Sequence, residues 1–279
     1  MTRLENLAGL LVLIVLLPAA GCAVGRPAPL KAHPDRIQVK PVFLQPTDVK
    51  QINPAYAPVF MRHLKWAQQR YGELLHQEDT FEIAGDRPMV LAGRHTKDYY
   101  LATGDGGAES AVLELFDHDR VNRFTCDYVY VVGFVGTGDW PAGGGRPING
   151  GINTGGGILV ISADALQTAP NYQSTLQHEL GHAFGLPHVD AYGLDMATSA
   201  SFMSYNPAHH THFFEASATP GGMIPEDYRA LSYAKRIFPG FKLDPNRDYP
   251  AGYTLAPMVF LGPMQLTGQP DYTGPMVVE

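Results

Sequence analysis

The sequence is short of charge, of basic clusters and of long apolar runs. Charged residues make up 17% of the 279 residues and the formal net charge is −7, whereas a charged share of about 25% is usual. No cluster of lysines and arginines occurs, which argues against a nucleic-acid partner. No segment repeats at a period of about 20–50 residues, which excludes solenoids and propellers.

The composition is nevertheless that of a folded protein with long loops. Hydrophobic residues make up 45% of the chain and aromatic residues 10%, which is enough to build a packed core. The 30 glycines and 23 prolines exceed a usual combined share of roughly 12% but stay below the range of disordered chains.

The N-terminus has the pattern of a cleaved signal. Arg3 supplies a short positive region, Leu7–Leu17 is an apolar run of eleven residues, and small residues precede Cys22. Eleven residues are too few for a membrane-spanning helix, which needs about 20. Small residues directly before a cysteine resemble the lipobox of bacterial lipoproteins, which implies cleavage before a lipidated Cys22. Ordinary secretion and an uncleaved anchor remain the alternatives.

If Cys22 carries lipid, Cys126 is the remaining cysteine and an intramolecular disulfide is excluded. We expect Cys126 to act as a small buried hydrophobe at the start of a strand. The lipobox resemblance implies an extracytoplasmic, membrane-anchored lipoprotein that faces the periplasm or lies on the cell surface.

Helix and strand patterns alternate along the first two thirds of the chain. Apolar residues at helical spacing predict one long amphipathic helix over about Pro54 to Gln77. The continuous apolar run Tyr128 to Val135 predicts a strand buried on both faces. Ten of the 22 residues from Gly136 to Gly157 are glycine, which predicts a loop. The order favours an α/β half followed by a loop-rich half with a last helix starting at Pro225.

Residues 178–188 read HELGHAFGLPH, and the first five carry a metal-binding pattern. His178 and His182 are four residues apart, so on a helix both imidazoles project from one face. Such a pair can bind one zinc ion. Glu179 lies beside them, where it can hold a metal-bound water.

The rest of the segment predicts a third ligand. Gly185 can adopt the left-handed conformation that ends a helix, and Pro187 prevents the helix from continuing. The chain then turns, and His188 can return as the third ligand. Three nitrogens leave one tetrahedral position open, as a catalytic zinc site requires.

These residues resemble the signature of the metzincin clan of zinc metallopeptidases, HExxHxxGxxH followed by a Met-turn. Met203, fifteen residues after His188, matches the Met-turn. The resemblance implies a methionine packed beneath the histidines. Tyr205 matches a tyrosine of astacins and serralysins that stabilises the tetrahedral intermediate. Val189 differs from the residue that follows the third histidine in astacins, adamalysins and serralysins, so no family within the clan is assigned.

The clan resemblance implies a fold and an activity. The fold would be α/β (α+β), with a twisted, mostly parallel sheet and long helices in an upper subdomain, and a loop-rich lower subdomain with a C-terminal helix. The activity would be that of a zinc-dependent metalloendopeptidase with one Zn²⁺ per chain, in which Glu179 activates a zinc-bound water to attack a peptide bond of a protein or peptide substrate. The strand Gly157 to Ser162 would be the edge strand that pairs with the substrate.

Two other functions stay open: a non-catalytic zinc-containing binding lipoprotein, and a zinc hydrolase of a cell-wall or glycopeptide amide. Glu179 argues against the first, because a structural zinc site needs no base and is normally closed by a fourth ligand. We expect a monomer, although the sequence does not fix the oligomeric state. The predicted domains are a lipoprotein-type signal over 1–21, a proline-rich tether over 22–46, a metzincin-like catalytic domain over 47–240, and a C-terminal extension of unknown structure over 241–279.

Overall fold

A six-stranded, mostly parallel sheet forms the centre of the fold. The computed structural model describes residues 36–102, 107–138, 143–148, 156–168, 172–208 and 221–266. All of them belong to one of the two units into which the chain divides, residues 31–279. The strands are β1 (Gln38–Gln45), β2 (Glu82–Ile83), β3 (Met89–Ala92), β4 (Tyr128–Phe134), β5 (Gly144–Pro147) and β6 (Gly157–Ser162).

The strand order is β2-β1-β4-β6-β5, and β3 pairs with β1 next to β2. Every pairing is parallel except that of β5 with β6, which is antiparallel. The prediction of a mixed α/β fold with a mostly parallel sheet is therefore confirmed. The helices are α1 (Tyr56–Leu74), α2 (Lys97–Ala102), α3 (Ala108–Asp119), α4 (Ala165–Thr168), α5 (Tyr172–Ala183), α6 (Pro225–Ser232) and α7 (Pro245–Asp248), with a 3₁₀ turn at Val189–Tyr192.

Side chains of the central strands are buried on both faces of the sheet. Val129 and Val131 of β4 join a core cluster that contains residues of α1, α5 and α6. Tyr130 and Val132, which point the other way, join a second cluster that contains residues of α3. This alternation explains why the β4 sequence is apolar throughout, as predicted.

Helix α1 packs against the sheet and α5 with an apolar face. Phe60, Leu64, Ala67 and Tyr71 recur at helical spacing and are almost completely buried. The helix begins after Asn53, whose side chain accepts a hydrogen bond from the Ala55 N–H at 3.0 Å. It is a little shorter at both ends than predicted.

The predicted tether over 22–46 is wrong for Gln38–Gln45, which form β1, a strand inside the sheet. Pro41 obscured this strand, because proline cannot donate a hydrogen bond to a neighbouring strand. On one side of β1, Pro41 lies between the residues that pair with β2 and those that pair with β3. Pairing with β2 ends at Val39 and pairing with β3 starts at Val42, so Pro41 meets neither.

Two predictions about the glycine-rich region are also wrong. Part of the predicted loop, Gly144–Pro147, forms β5. Gly157–Ser162 is not the edge strand, because β6 lies between β4 and β5. The edge strand next to β6 is β5, which carries no apolar side-chain pattern because its residues are glycine, arginine and proline. Residues 139–142 and 149–155 of the predicted loop lie outside the described residues.

The C-terminal part of the chain contributes to the core. The helix predicted to start at Pro225 does so, but it ends at Ser232 and is not the last helix, because α7 follows it. Leu231 is fully buried as predicted, Tyr228 is half-buried, and Ala234 and Phe238 are fully buried but lie beyond the end of the helix. The predicted extension over 241–279 contains α7 and an irregular segment that runs along the domain to residue 266. Within the described part of the chain, every helix is too short or too polar to span a membrane. The signal over 1–21 and Cys22 lie outside the described residues, so they stay predictions.

Candidate metal centre

Helix α5 carries the first two histidines on one face, almost fully buried. His178 is 1% exposed and His182 is 7% exposed. Nδ1 of His178 lies 2.7 Å from the Phe202 carbonyl, and Nδ1 of His182 lies 2.8 Å from the Leu186 carbonyl. Since a carbonyl oxygen only accepts, each Nδ1 must carry the proton. Each Nε2 therefore presents a lone pair, the form in which imidazole binds a metal.

A tight turn after α5 brings the third histidine back to the first two. Gly185 has φ 98°, and the Gly185 N–H donates to the His182 carbonyl while the Leu186 N–H donates to the Gly181 carbonyl. This pair of bonds is the Schellman motif that ends helices. Beyond it, Nε2 of His188 lies 3.2 Å from Nε2 of His178 and 3.0 Å from Nε2 of His182.

The three imidazoles form a group that could hold a metal ion. Burial lowers the pKa of His182 to about 3, and the nearby His188 acts in the same direction. Burial also lowers the pKa of His188, against the opposing effect of Asp190. Both rings are therefore neutral at neutral pH. Three imidazole nitrogens converge, two of them on buried histidines and one on the half-buried His188, and a cation would relieve the repulsion between their lone pairs.

Glu179 lies next to this group without belonging to it. It is 9% exposed, and burial raises the pKa of its carboxyl to about 7, against a smaller lowering by a hydrogen bond from the Gly145 N–H. Strand β5 comes very close to α5 here, because a Cβ on Gly145 would lie 2.0 Å from the Glu179 carbonyl oxygen. Glycine at this position is thus required for the edge strand to reach the carboxylate.

Met203 packs directly against the helix turn between the two histidines. It is fully buried, and a Cβ on Gly181 would lie 2.3 Å from the Met203 sulfur and 2.8 Å from Cε2 of Phe202. The absence of a side chain at Gly181 lets the Met203 segment approach α5 closely. The same segment supplies the Phe202 carbonyl that orients His178.

Tyr205 lies at the open side of the group. Its ring centre is 5.5 Å from that of His178 and 4.9 Å from that of His188, and the residue is 46% exposed. Its N–H donates to the Met196 carbonyl at 2.9 Å, which fixes its backbone. Burial raises the pKa of the Tyr205 hydroxyl, with the charge of Glu179 adding to the effect. The hydroxyl therefore keeps its proton at neutral pH and can donate it in a hydrogen bond.

The buried carboxyl of Asp227 in α6 supports residues 201–203 through hydrogen bonds. The Ser201 hydroxyl donates to Asp227 Oδ2 at 2.6 Å and accepts from the Met203 N–H at 2.9 Å. The Ile224 N–H donates to the same Asp227 oxygen at 3.0 Å. Asp227 is fully buried, and burial raises its pKa to about 7. The chain from Asp227 through Ser201 thus holds Met203 in place.

Asp227→Asn should reduce the pH dependence of folding stability. The folded-state pKa, about 7, is above the unfolded value of about 3.9. The protonated Asp227 carboxyl therefore stabilises the folded state fully below about pH 4, and this stabilisation is lost as the pH rises through about 7. The free energy of unfolding in urea should be measured for both proteins at about pH 5 and pH 8. It should fall between these pH values in the wild type by a few kcal/mol more than in the variant. Equal falls in both proteins would contradict a protonated Asp227.

Three supporting groups were not anticipated from the sequence: Gly145, Gly181, and the Ser201–Asp227 pair. The first two could have been suspected, since glycine often marks a close approach of two backbones. The Ser201–Asp227 pair joins residues 26 positions apart and leaves no local signal in the sequence.

Comparison with known proteins finds similarity among solved structures alone. No family model matches the chain, and no curated protein matches it. A crystal structure of wild-type OgpA from Akkermansia muciniphila is 18% identical, with a TM-score of 0.48 over 80% of this chain and 67% of that chain.

Catalytically inactive OgpA, crystallised in complex with an O-glycopeptide (glycodrosocin) substrate, is 16% identical. Its TM-score is 0.46, over 80% of this chain and 66% of that chain. The chain thus aligns with about two thirds of the length of OgpA.

Proposed function

We propose that this chain is a zinc-dependent metalloendopeptidase of the metzincin type. The proposal rests on the convergence of the Nε2 atoms of two buried histidines and of the half-buried His188, beside a carboxylate that is not part of the ligand group. A structural metal site would be closed by a fourth side chain, and the described residues offer no fourth His, Cys, Asp or Glu at this group. An open position with a base beside it is what hydrolysis requires.

The spacing of the histidines supports zinc as the metal. A tetrahedral zinc ion with nitrogens at about 2.0–2.1 Å keeps them about 3.3 Å apart. The observed Nε2 separations from His188, 3.0 and 3.2 Å, need only a small adjustment to reach this value. The backbone carbonyls that orient His178 and His182 supply the outer hydrogen bonds typical of zinc-binding histidines. His178, His182 and His188 would hold one Zn²⁺ per chain.

The side chains around the metal would divide the chemistry between them. A bound zinc ion would supply Lewis acidity and make water more acidic. Glu179 would accept the proton of the attacking water and later deliver it to the leaving amine. The Tyr205 hydroxyl would donate a hydrogen bond to the oxygen that becomes negative during the attack. Met203 would act indirectly, by supporting the helix turn between the ligands.

We place the substrate along β5, the edge strand nearest to Glu179. An extended peptide can add to an exposed sheet edge through main-chain hydrogen bonds. The hydrogen bond from the Gly145 N–H to the Glu179 carboxylate brings this edge next to the proposed base. We therefore assign to Gly144–Pro147 the pairing with substrate that is expected from the sequence for residues 157–162.

The decisive experiment is cleavage profiling with a proteome-derived peptide library. Purified residues 23–279 should hold about one zinc per chain, cleave peptides internally, and lose activity when zinc is removed by a chelator and regain it when zinc is restored. Tight zinc binding without hydrolysis would favour a binding protein. Cleavage confined to cell-wall or glycosylated peptides would favour a hydrolase of those amides.

Tyr205→Phe should lower kcat about 10²-fold, because one donor to the developing oxyanion is removed. The phenylalanine ring can keep the contacts with His178 and His188, so zinc content should be unchanged. Steady-state kinetics on one cleaved peptide, with zinc measured by mass spectrometry, tests this. Unchanged kcat would show that the hydroxyl takes no part in the reaction.

We also propose that the enzyme is an extracytoplasmic lipoprotein, anchored to a membrane through Cys22. The support is the sequence pattern of Arg3, the apolar run Leu7–Leu17 and the small residues before Cys22. Mass spectrometry of the N-terminal peptide from native membranes would detect the lipid. Cleavage at a different residue, or an unmodified Cys22, would contradict the anchor.

A further inference from the structure

The irregular segment formed by residues 259–266, here called the C-terminal strap, lies across one end of the edge strand. The Leu261 N–H donates to the Gly185 carbonyl at 2.9 Å, directly after the helix that carries the histidines. The Met264 N–H donates to the Pro147 carbonyl at 2.8 Å, at the last residue of β5. The strap therefore connects the turn of the metal site with the end of the proposed substrate-binding strand.

The strap is held in this position by buried contacts. Nη2 of Arg123 donates to the Met264 carbonyl at 2.9 Å and to the Ile148 carbonyl at 3.2 Å. Arg123 itself is 2% exposed, while Met264 and Leu266 are 4% and 3% exposed and belong to the core cluster on the α3 face. This segment is thus part of the folded domain rather than a loose tail.

The hydrogen bonds of β5 reveal which of its backbone groups face outward. The Ile148 N–H donates to the Gly156 carbonyl, which continues the antiparallel pairing with β6. Hydrogen-bonded pairs alternate along an antiparallel ladder, so residues 144, 146 and 148 bond to β6. Gly145 and Pro147 consequently turn their backbone groups away from β6, in agreement with the bonds to Glu179 and Met264.

The two outward-facing residues differ in what they can offer a substrate. Gly145 lies at the Glu179 carboxylate, where the reaction would occur, and because its N–H donates to that carboxylate, a peptide would pair with the Gly145 carbonyl. Pro147, the next outward position, has no N–H to donate. Its carbonyl already accepts the Met264 N–H. A peptide paired with Gly145 therefore finds no hydrogen-bonding partner at the following position of the edge.

We infer that the C-terminal strap closes one end of the substrate cleft and limits how many residues bind on the N-terminal side of the cleaved bond. This inference rests on the proposed function. Antiparallel pairing is the more stable arrangement at a sheet edge. In it, a peptide runs towards its own N-terminus as β5 runs from Gly145 to Pro147. About two residues fit beyond the one opposite Gly145 before the strap is reached.

Two series of zinc-directed peptides test the inference by affinity rather than by turnover. Peptides with a C-terminal hydroxamate place the chelating group on the metal and extend to the N-terminal side. Peptides with an N-terminal mercaptoacetyl group extend to the C-terminal side. On the zinc-loaded chain, the Kd of the hydroxamates should improve about three- to tenfold for each of the first residues and then stay constant. The mercaptoacetyl series should continue to improve with length.

Variants of the strap identify it as the cause. A chain ending at residue 262 keeps the Leu261 contact but lacks Met264 and Leu266, and its hydroxamate affinities should keep improving with a third and fourth residue. The double variant Met264→Ala/Leu266→Ala, which keeps the chain length, should show the same trend more weakly. A chain ending at residue 266 retains the strap and is the matched control. Circular dichroism and zinc content show whether each variant is folded.

The outcomes separate this inference from the proposed function. Two results would overturn the role of the strap. One is that hydroxamate affinity for the full chain keeps rising as the peptide is lengthened to five residues. The other is that truncation of the chain at residue 262 leaves the dependence of affinity on peptide length unchanged. A plateau that disappears on truncation supports it, even if no peptide is hydrolysed. Absence of hydrolysis with that plateau would contradict the peptidase proposal alone.

Discussion

Glu179→Gln is expected to lower kcat for peptide hydrolysis by about 10³-fold, within the range measured for loss of a general acid–base group. Glutamine keeps the size of the side chain and can neither accept nor deliver the proton. Glu179 lies outside the group of three histidines that could hold the metal, so zinc content should not change. The measurement is the initial rate of cleavage of one defined peptide, with zinc determined on the same sample.

The control is the exposed carboxylate Asp190, which lies close enough to influence the pKa of His188. Asp190→Asn removes the same charge from the same neighbourhood, and kcat should stay within a few-fold of the wild-type value. Burial raises the pKa of Glu179 to about 7, whereas a cation bound at the histidines acts in the opposite direction. Substantial turnover by Glu179→Gln would mean that another residue acts as the base.

The sequence predicts the convergence of the histidines because their geometry is local. A spacing of four residues places His178 and His182 on one helix face, whatever the rest of the fold. The left-handed Gly185 ends the helix at the expected place. The contact of Gly181 with Met203, by contrast, joins segments more than twenty residues apart. A resemblance to known enzymes can suggest this contact, but no spacing rule derives it.

The sequence failed to predict β5 and β1 for different reasons: β5 has no apolar side-chain pattern, whereas the apolar pattern of β1 is interrupted by Pro41. Gly144–Pro147 is a strand because its backbone pairs with β6 and fits closely against α5, and glycine contributes to both by having no side chain. Gln38–Gln45 was hidden by Pro41, which is tolerated at a gap between two partner strands. The C-terminal strap is held through backbone groups such as the Met264 N–H. Such elements depend on tertiary contacts rather than on local sequence preference.

Gly145→Ala is expected to cause the largest loss of stability among the substitutions considered. Its Cβ would lie 2.0 Å from the Glu179 carbonyl oxygen and 3.0 Å from Cβ of His182. Both atoms belong to α5 close to its backbone, so no side-chain rotation can relieve the clash. The free energy of unfolding should fall by about 3 kcal/mol or more. The melting temperature should fall by about 10 °C.

Gly144→Ala is the matched control, one residue earlier in the same strand. Among the residues that the structure describes, its Cβ would meet Cγ2 of Val160 alone, at 3.9 Å, which is an ordinary contact. The stability of this variant should stay within about 1 kcal/mol of the wild type. Thermal unfolding of both zinc-loaded variants makes the comparison. If both substitutions were equally tolerated, β5 would not pack closely against α5. The edge strand and the strap bound to it would then have no fixed position relative to Glu179.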